Sequence, residues 1–232
     1  MSVLASLFVG RARPLARAGH PDVPSGIVKL PQSGALRLTV HGLEGDEQGD
    51  RVFHGGPEKA VHHYAAEHYA FWRGQYPHSP VQMLPGAFGE NFSTLGMTES
   101  TVCIGDVYAV GAALLQVSQG RQPCWKLNRL LQREDAASNM QRSGATGWYY
   151  RVLREGLVAP GDQLLLVERP NPAWPMQRLI QALFPESAVT PSLVAEWRQA
   201  AELKQLTVNW QNTFTRRVQQ LQLEDWSRRL TE

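Results

Sequence analysis

The sequence predicts an α+β fold, in which a β-rich, barrel-like region with peripheral helices is followed by a small three-helix region. Three features of the chain predict this fold. Short strands that alternate apolar and polar residues recur up to residue 168, two helical segments interrupt them, and the residues after 168 have helical spacing and almost no glycine. The 232 residues, of which 43% are hydrophobic, suffice for one substantial domain and a smaller one.

Turn residues separate the predicted strands. Residues 34–46 alternate apolar and polar side chains and then turn at glycines, and residues 100–119 form a series of strands broken at Gly105 and Gly111. Residues 157–169 repeat the pattern around a Pro-Gly-Asp turn. Short alternating strands with such turns are typical of a β-barrel or a strongly bent sheet.

Two segments of the β-rich region are predicted to be helical. Residues 58–77, EKAVHHYAAEHYAFWRGQYP, end at Gly74 and Pro77 and place four side chains at helical spacing, namely Tyr64, His68, Phe71 and Trp72. Residues 123–135, PCWKLNRLLQRED, begin with a proline and continue with good helix formers.

The composition changes at residues 168–175, ERPNPAWP, where three prolines predict a linker. We therefore expect a β-barrel domain over residues 1–168 and a three-helix domain over residues 169–232. Because the tail is nearly neutral, the sequence favours a packing or docking module over a DNA-reading helix-turn-helix. Helical spacing occurs in three segments of this tail, residues 176–184, 192–204 and 207–230.

Charge and cysteine content argue against several classes of protein. The 23 basic and 21 acidic residues leave a net charge of +2, so a general nucleic-acid-binding surface is not expected. Two cysteines are too few for a disulfide scaffold. The apolar run near the N-terminus is too short to span a bilayer and lacks the early positive charges of a signal peptide. We expect a soluble, cytoplasmic protein that binds neither nucleic acid nor membrane.

The two cysteines differ in their surroundings. Cys103 lies within an apolar strand pattern, where a small buried side chain is expected. Cys124 follows Pro123, which predicts a place in the first turn of a helix, where amide N–H groups carry partial positive charge. Arg121 and Lys126 add cations nearby, and together these charges favour the thiolate, the form that attacks electrophiles or binds metals. A packed cysteine at the start of a helix is the other interpretation.

The histidines do not form a convincing zinc motif. His63 and His68 are five residues apart instead of the four that place two ligands on one helix face. The segment His54-Gly55-Gly56-Pro57 is different, because its glycines let backbone amides approach an oxyanion and Lys59 adds a charge near the predicted helix start. The same segment is equally compatible with a tight strand-to-helix connection that leaves the lysine exposed.

Two further glycine-bounded segments are candidates for ligand contacts. Residues 85–94, PGAFGENFST, hold Glu90 and Asn91 between aromatic residues, which suits a ligand-facing turn or a plain Asx-turn. Residues 144–156, GATGWYYRVLREG, present Trp148 and Tyr149 either for stacking on a flat ring or for core packing.

Five separated motifs occur in the order found in MOSC-domain proteins, the family named after the C-terminal domain of molybdenum-cofactor sulfurases. The order and the chain length resemble the YiiM subgroup, which carries a small three-helix domain after the barrel. The first 40 residues contribute no motif. The motifs span about residues 45–165 and read GLEGDEQGDRVFHGGPEKAVHHY, FGENFST, IGD, VSQGRQPCWKLN and GWYYRVLREG.

The resemblance implies a β-rich MOSC barrel that binds a molybdenum–pterin cofactor and reduces N-hydroxylated compounds, such as 6-hydroxylaminopurine, from N–OH to N–H. It also implies a separate electron-donor reductase, because the chain has no flavin, haem or iron–sulfur motif of its own. Glu58 stands where relatives commonly have aspartate, which preserves the charge. Matching positions make Cys124 the metal-binding anchor and give the remaining cofactor contacts as His54, Gly55, Gly56, Lys59, Glu90, Asn91 and Arg121.

The catalytic roles are less constrained by the resemblance. Cys124 is the central catalytic residue, and His54 and His63 are the candidate proton donors, because unperturbed imidazole titrates near pH ~6.5. Two alternatives to a reductase stay open at this point. In one, a persulfide on Cys124 delivers sulfur to a metal or cofactor. In the other, the helical tail serves a regulator that binds DNA or protein without catalysis.

Overall fold

The computed structural model describes residues 2–17, 19–50, 55–186 and 188–231. Within these ranges the strands are β1 (Ser2–Val9), β2 (Arg13–Arg17), β3 (His20–Ser25), β4 (Leu30–Gln32), β5 (Leu36–Thr39), β6 (Gly42–Leu43), β7 (Val61–Ala65), β8 (Phe92–Thr94), β9 (Val107–Val110), β10 (Ala113–Gly120), β11 (Trp148–Arg154), β12 (Gly156–Val158) and β13 (Gln163–Glu168). The helices are α1 (His68–Gln75), α2 (Lys126–Leu131), α3 (Ala136–Ser143), α4 (Met176–Leu183), α5 (Pro191–Ala201), α6 (Val208–Gln220) and α7 (Ser227–Leu230), with one 3-10 turn at Pro57–Lys59. None of these helices is long and apolar enough to cross a lipid bilayer.

Seven strands close into a barrel, which confirms the predicted architecture. Hydrogen-bonded neighbours follow the order β13-β9-β10-β11-β7-β8-β1, and β1 pairs with β13 to complete the circle. The neighbouring strands are antiparallel except β7 and β8, which are parallel. β4 extends the sheet beyond β1, while β12-β5-β6 and β2-β3 form two smaller sheets. Closure removes the free edges that an open sheet of this size would expose.

The alternation along β10 shows how the barrel interior is filled. Ala113, Leu115 and Val117 are fully buried, whereas the intervening Leu114 and Gln116 are half-buried. Because successive side chains in a strand point to opposite faces, one face of β10 packs into the barrel core and the other faces outward. This is the period that the sequence showed over residues 100–119.

The helix predicted over residues 58–77 is wrong for its first part. Val61–Ala65 forms β7 in the barrel wall, and α1 begins only at His68. All five residues of β7 are buried. A strand that is buried on both faces lacks apolar–polar alternation, so its sequence resembles that of a buried helix.

The C-terminal helices pack directly on the barrel. α4 and α5 match the first two predicted segments, but the third segment is divided, because Leu221 adopts a left-handed φ of 53° that ends α6 before the short α7. Buried side chains of both regions form one continuous cluster, which includes Val117, Met176 and Trp210. The predicted domain boundary falls where β13 ends at Glu168, and the two regions share a core across it.

Gly120, at the end of β10, allows the close approach of these helices. A Cβ atom at this position would lie 3.0 Å from the Trp210 ring, 3.1 Å from Ile180 Cγ1 and 3.3 Å from Met176 Cε. Glycine therefore lets α4 and α6 pack against the strand that leads into the Arg121–Cys124 loop.

Candidate functional site

The loop after β10 carries Arg121 and Cys124 to a pocket at one end of the barrel. The backbone N–H of Arg121 donates to the Gly147 carbonyl at 3.0 Å, which fixes the start of the loop. The predicted helix begins at Lys126, two residues after Cys124, and the Leu127 N–H donates to the Cys124 carbonyl at 2.9 Å. The prediction that Cys124 lies within the helix is therefore wrong, and it lies in the turn that precedes α2.

Four predicted site residues from three separate segments line this pocket together. Lys59 comes from the 3-10 turn, Asn91 from the loop before β8, and Arg121 and Cys124 from the loop after β10. We call this space the inner pocket, and its volume is about 90 Å³. The inner pocket accommodates a small group rather than a whole cofactor.

A hydrogen-bond network fixes the wall formed by Asn91. The His62 backbone N–H donates to Asn91 Oδ1 at 3.0 Å, and Asn91 Nδ2 donates to Asp46 Oδ2 at 2.9 Å and to the Phe8 carbonyl at 3.1 Å. Asp46 also forms an ion pair with Lys29, whose side chain is 6% exposed. Burial lowers the pKa of Lys29, while the Asp46 carboxylate opposes that shift. Both oxygens of Asp46 are therefore committed to positioning neighbouring groups.

Two buried polar atoms at the inner pocket have no hydrogen-bond partner in the described ranges. Arg121 is 7% exposed and His62 is 5% exposed, and neither Arg121 Nη1 nor His62 Nε2 forms a hydrogen bond with any part of the chain that the structure describes. Burial holds the pKa of His62 well below its usual value, and the Arg121 cation lowers it further, so this imidazole is neutral at pH 7. Because buried polar groups are ordinarily hydrogen-bonded, an unpartnered cation in a cleft points to a bound anion.

Lys59 reaches the pocket, but the glycines before it do not. Gly56 has a φ of 95°, and its carbonyl accepts a hydrogen bond from the Lys59 N–H at 2.9 Å. Neither Gly55 nor Gly56 lines the cavities around Cys124. The structure thus supports a glycine-dependent turn that positions Lys59, rather than the predicted amide cradle. His54 lies outside the described residues.

Glu90 holds a loop instead of lining the pocket. Its carboxylate accepts hydrogen bonds from the Tyr69 hydroxyl at 2.5 Å, the Gly86 N–H at 2.6 Å and the Phe88 N–H at 3.2 Å. The side chain is fully buried, and burial raises its pKa. The role of direct cofactor contact predicted for Glu90 does not fit this placement, since Glu90 acts through the loop that carries Gly89 to the pocket.

His63 points into the barrel and away from the pocket. Its Nδ1 lies 3.0 Å from the Tyr150 hydroxyl and its Nε2 lies 2.8 Å from Thr94 Oγ1, so both ring nitrogens are committed. Burial lowers the pKa of His63 to about 3. Adjacent residues of a strand face opposite sides, so on β7 His62 lines the pocket and His63 does not. The predicted role of His63 as a proton donor does not fit this placement.

A second, larger cavity opens on the other side of Cys124. This outer chamber has a volume of about 1,170 Å³ and lies between the barrel and the C-terminal helices. Its volume slightly exceeds the upper end of the range of about 300–1,000 Å³ that small-molecule sites occupy. The residues that line both the inner pocket and the outer chamber are Lys59, Gln122, Cys124, Lys126 and Tyr149.

The C-terminal tail is attached to the loop that carries Cys124. The Trp125 N–H donates to the Arg229 carbonyl at 2.8 Å, and the Arg229 guanidinium donates to the Pro123 carbonyl. Arg229 also lies over the Trp226 ring, 4.8 Å from its centroid, and burial lowers its pKa to about 10. The residues on both sides of Cys124 are therefore held by a segment more than 100 positions later in the chain.

Sequence reasoning missed three residues of the inner pocket, namely His62, Lys29 and Asp46. His62 was assigned to a helix, and only the correct assignment of β7 would have separated it from His63. Asp46 lies inside the first MOSC motif and carried a usable signal. Lys29 had none, because its role depends on contact with a carboxylate from a distant loop.

Comparison with known proteins identifies the family. The MOSC domain model matches residues 50–165, and the chain belongs to the MOSC-domain family. The chain is 39% identical to protein YiiM of Escherichia coli K12 over 207 residues, which cover 89% of this chain and 90% of that protein. The crystal structure of E. coli YiiM covers 100% of both chains with a TM-score of 0.81 and 32% identity. These matches confirm the predicted MOSC barrel with peripheral helices.

Two further relatives extend the comparison. The crystal structure of YiiM from Geobacillus stearothermophilus has a TM-score of 0.77 and 32% identity, covering 94% of this chain and 100% of that one. A protein named Reductase from Gibberella moniliformis is 39% identical over 201 residues, which cover 85% of this chain but 35% of that protein. The family and these relatives support a role connected with the molybdenum cofactor.

Proposed function

We propose that the protein is a molybdenum-cofactor-dependent reductase that converts N-hydroxylated compounds, such as 6-hydroxylaminopurine, into the corresponding amines. One observation carries the proposal: Lys59 and Asn91, from two distant segments, meet Arg121 and Cys124 of one loop in a single pocket. The family supplies the class of cofactor, and the pocket supplies a sulfur ligand beside buried cations.

The residues of the inner pocket fit an anionic group of a molybdenum–pterin cofactor, whose other atoms would extend beyond the pocket of about 90 Å³. Such a cofactor carries a phosphate and a dithiolene, so it is anionic, and its metal accepts soft sulfur ligands. The unpartnered Arg121 Nη1 and His62 Nε2 are suited to oxygen atoms of a bound anion. A thiolate from Cys124 at the rim of the same pocket would hold the metal.

Each residue has a distinct task in this proposal. Arg121 and Lys59 bind the anionic groups, and Asn91 keeps the wall of the pocket in place through Asp46. Cys124 anchors the metal at the junction of the inner pocket and the outer chamber, where a substrate can approach. When bound, the cofactor supplies the two-electron chemistry, and the protein supplies position and charge.

The reaction is R–NHOH plus two electrons and two protons, which gives R–NH2 and water. The N–O bond breaks, one proton goes to nitrogen, and the hydroxyl group leaves as water with the other. His62 is neutral at pH 7 and does not store a proton, so we assign proton delivery to Lys59. Lys59 lines both cavities beside Cys124, and burial lowers its pKa, which makes it a stronger acid.

Electrons come from a separate donor protein in this proposal. The fungal protein named Reductase supports it, because the segment that resembles this chain makes up only 35% of that protein. The rest of the fungal protein is long enough to contain a redox module. The present chain would instead receive electrons from a separate partner protein.

The decisive experiment uses protein purified from a cofactor-sufficient host. We expect about one molybdenum and one pterin per chain, and conversion of 6-hydroxylaminopurine to adenine with a reduced viologen dye as electron source. Cys124→Ala should lose the metal and the activity, whereas Cys103→Ala, at a buried cysteine outside both cavities, should keep them. Metal-free wild-type protein would contradict the proposal, and a persulfide on Cys124 without molybdenum would favour sulfur transfer instead.

A further inference from the structure

We infer that the outer chamber binds the phosphate of its substrate, so that N-hydroxylated nucleoside monophosphates are preferred over free bases. This inference rests on the proposed function, because it names the substrate class of the same site. Four features of the outer chamber support it, namely its positive charge, the N-terminus of α6, the unpartnered Thr207 hydroxyl and the aromatic rings of its wall.

The outer chamber has an excess of positive charge. Glu58 forms an ion pair with Arg151. Burial lowers the pKa of Lys59, and the nearby Asp50 carboxylate opposes that shift. The two acidic residues therefore neutralise only part of the positive charge of the chamber. Lys204 and Arg228 form no salt bridge with any residue in the described ranges, and both are exposed to the chamber. The chamber attracts anions because, among the described residues, six basic side chains and two acidic ones line it, namely Lys59, Lys126, Arg151, Lys204, Arg228 and Arg229 against Asp50 and Glu58.

The N-terminus of α6 gives the second argument. Thr207 precedes this 13-residue helix, Val208 and Asn209 begin it, and all three line the chamber. The first amide N–H groups of a helix have no partner within it and carry partial positive charge, which suits a phosphate. The helix is held in place because the Thr207 N–H donates to the Ser118 carbonyl of β10 at 3.1 Å.

An unpartnered hydroxyl at this helix start is the third, independent observation. Thr207 is 4% exposed, and its Oγ1 makes no hydrogen bond within the part of the chain that the structure describes. Threonine at this position ordinarily caps its own helix, but here it forms no side-chain cap. Thr207 lines the chamber, and a phosphate oxygen bound there would supply the acceptor that this buried hydroxyl lacks.

Aromatic rings give the chamber a place for a flat base. Trp125, Tyr149 and Trp226 line it, and Trp125 directly follows Cys124. A base that stacks among these rings lies near the sulfur, with the α6 N-terminus elsewhere along the same wall. At about 1,170 Å³, the chamber exceeds what a free base fills, whereas a nucleotide spans both the rings and the cations.

The same phosphate chemistry is present in the cofactor, so the two sources must be separated. The most deeply buried anion-seeking atoms, Arg121 Nη1 and His62 Nε2, lie at the inner pocket, on the other side of Cys124. If these atoms hold an anionic group of the cofactor, the cations on Lys204 and Arg228 stay available to the substrate.

Calorimetric titration with adenosine 5′-monophosphate tests the inference without turnover. This probe is the amine that reduction of the N-hydroxylated nucleotide would yield. We expect the cofactor-loaded wild type to bind it about tenfold or more tightly than adenosine, with an affinity that falls as salt rises. The double variant Lys204→Ala, Arg228→Ala should bind both probes equally, whereas the matched control Arg198→Ala, on the exposed side of α5, should behave like the wild type.

A conservative substitution at Thr207 separates a binding role from a structural one. Thr207→Val keeps the shape and removes the hydroxyl, so it should weaken nucleotide binding about threefold to tenfold without lowering the melting temperature. Thr207→Ser should restore the affinity. Unchanged nucleotide affinity in Thr207→Val would count against this atom and against the site.

Three outcomes overturn the inference. These are equal affinity of the wild type for adenosine and its monophosphate, wild-type nucleotide binding by the double variant, and loss of molybdenum from the double variant, which would assign the cations to the cofactor. Failure of the reductase proposal is distinguishable, because a protein that binds the nucleotide but reduces nothing sinks only that proposal. A protein that reduces 6-hydroxylaminopurine but ignores the phosphate sinks only this inference.

Discussion

Replacement of Arg121 with methionine should make the cofactor-free protein more stable and the cofactor-loaded protein impossible to form. Arg121 is buried, and its Nη1 atom has no acceptor among the residues that the structure describes. An unsatisfied buried donor costs about 1–3 kcal/mol, and a charged one costs more. Without a bound anion nothing offsets this cost, so Arg121→Met should raise the free energy of unfolding by about 1–3 kcal/mol.

The assay is thermal unfolding of protein prepared in a host that cannot make the cofactor. For a chain of this size, about 1 kcal/mol corresponds to a rise of about 2–4 °C in the melting temperature. Arg129→Met is the matched control, because Arg129 is equally buried but its Nη1 donates to the Leu15 carbonyl at 2.9 Å and the Pro21 carbonyl at 2.8 Å. The control should lose stability, since two buried carbonyls would then lack their donor.

The second half of the assay measures molybdenum in both variants from a cofactor-sufficient host. Arg121→Met should contain little metal, and folded Arg129→Met should contain nearly as much as the wild type. If Arg121→Met instead loses stability as Arg129→Met does, Arg121 serves the fold, and its Nη1 atom does not mark an anion site.

The remaining predictions concern the barrel, its contact with the helices and the tail. The folded pKa of His63, about 3, lies below the unfolded value of ~6.5, so the unfolded chain binds a proton first as the pH falls, and about 3 kcal/mol of stability should disappear between pH 7 and pH 4. Denaturant titrations should show a clearly smaller loss for His63→Gln; an equal loss would contradict the burial of a neutral imidazole. Gly120→Ala should lower the denaturation midpoint by the equivalent of about 1–3 kcal/mol, because its Cβ meets three side chains at 3.0–3.3 Å, and an unchanged midpoint would show that the helices shift freely. Truncation after Gln220 removes the Arg229 carbonyl that accepts from the Trp125 N–H, so hydrogen exchange at Trp125 should accelerate about tenfold or more while the barrel strands keep their protection. Unchanged exchange at Trp125 would mean that the tail does not hold the loop of Cys124.

The barrel was predictable because its strands obey local rules. Along β10 the buried and half-buried residues alternate, and glycines stand at the turns that separate the strands. β7 was not predictable in this way, because both of its faces are buried and its five residues carry no alternation. That one error placed His62 and His63 on a helix and reversed their relation to the pocket.

The site was predictable where a motif places chemistry in one loop, as at Arg121 and Cys124. It was not predictable where the role of a residue depends on contacts between distant segments. Glu90 turned out to hold a loop through Tyr69, and Lys29 joined the wall of the pocket through Asp46. The outer chamber forms because the C-terminal helices pack against the barrel through a shared core. No local sequence pattern predicts that packing.

Sulfur coordination of molybdenum tests the central claim most directly. X-ray absorption at the molybdenum edge of the loaded protein should show one sulfur ligand fewer in Cys124→Ser than in the wild type. Cys103→Ser, at the second cysteine of the chain, should retain the wild-type count. An unchanged sulfur count in Cys124→Ser, or the same loss in Cys103→Ser, would show that the thiolate of Cys124 does not hold the metal.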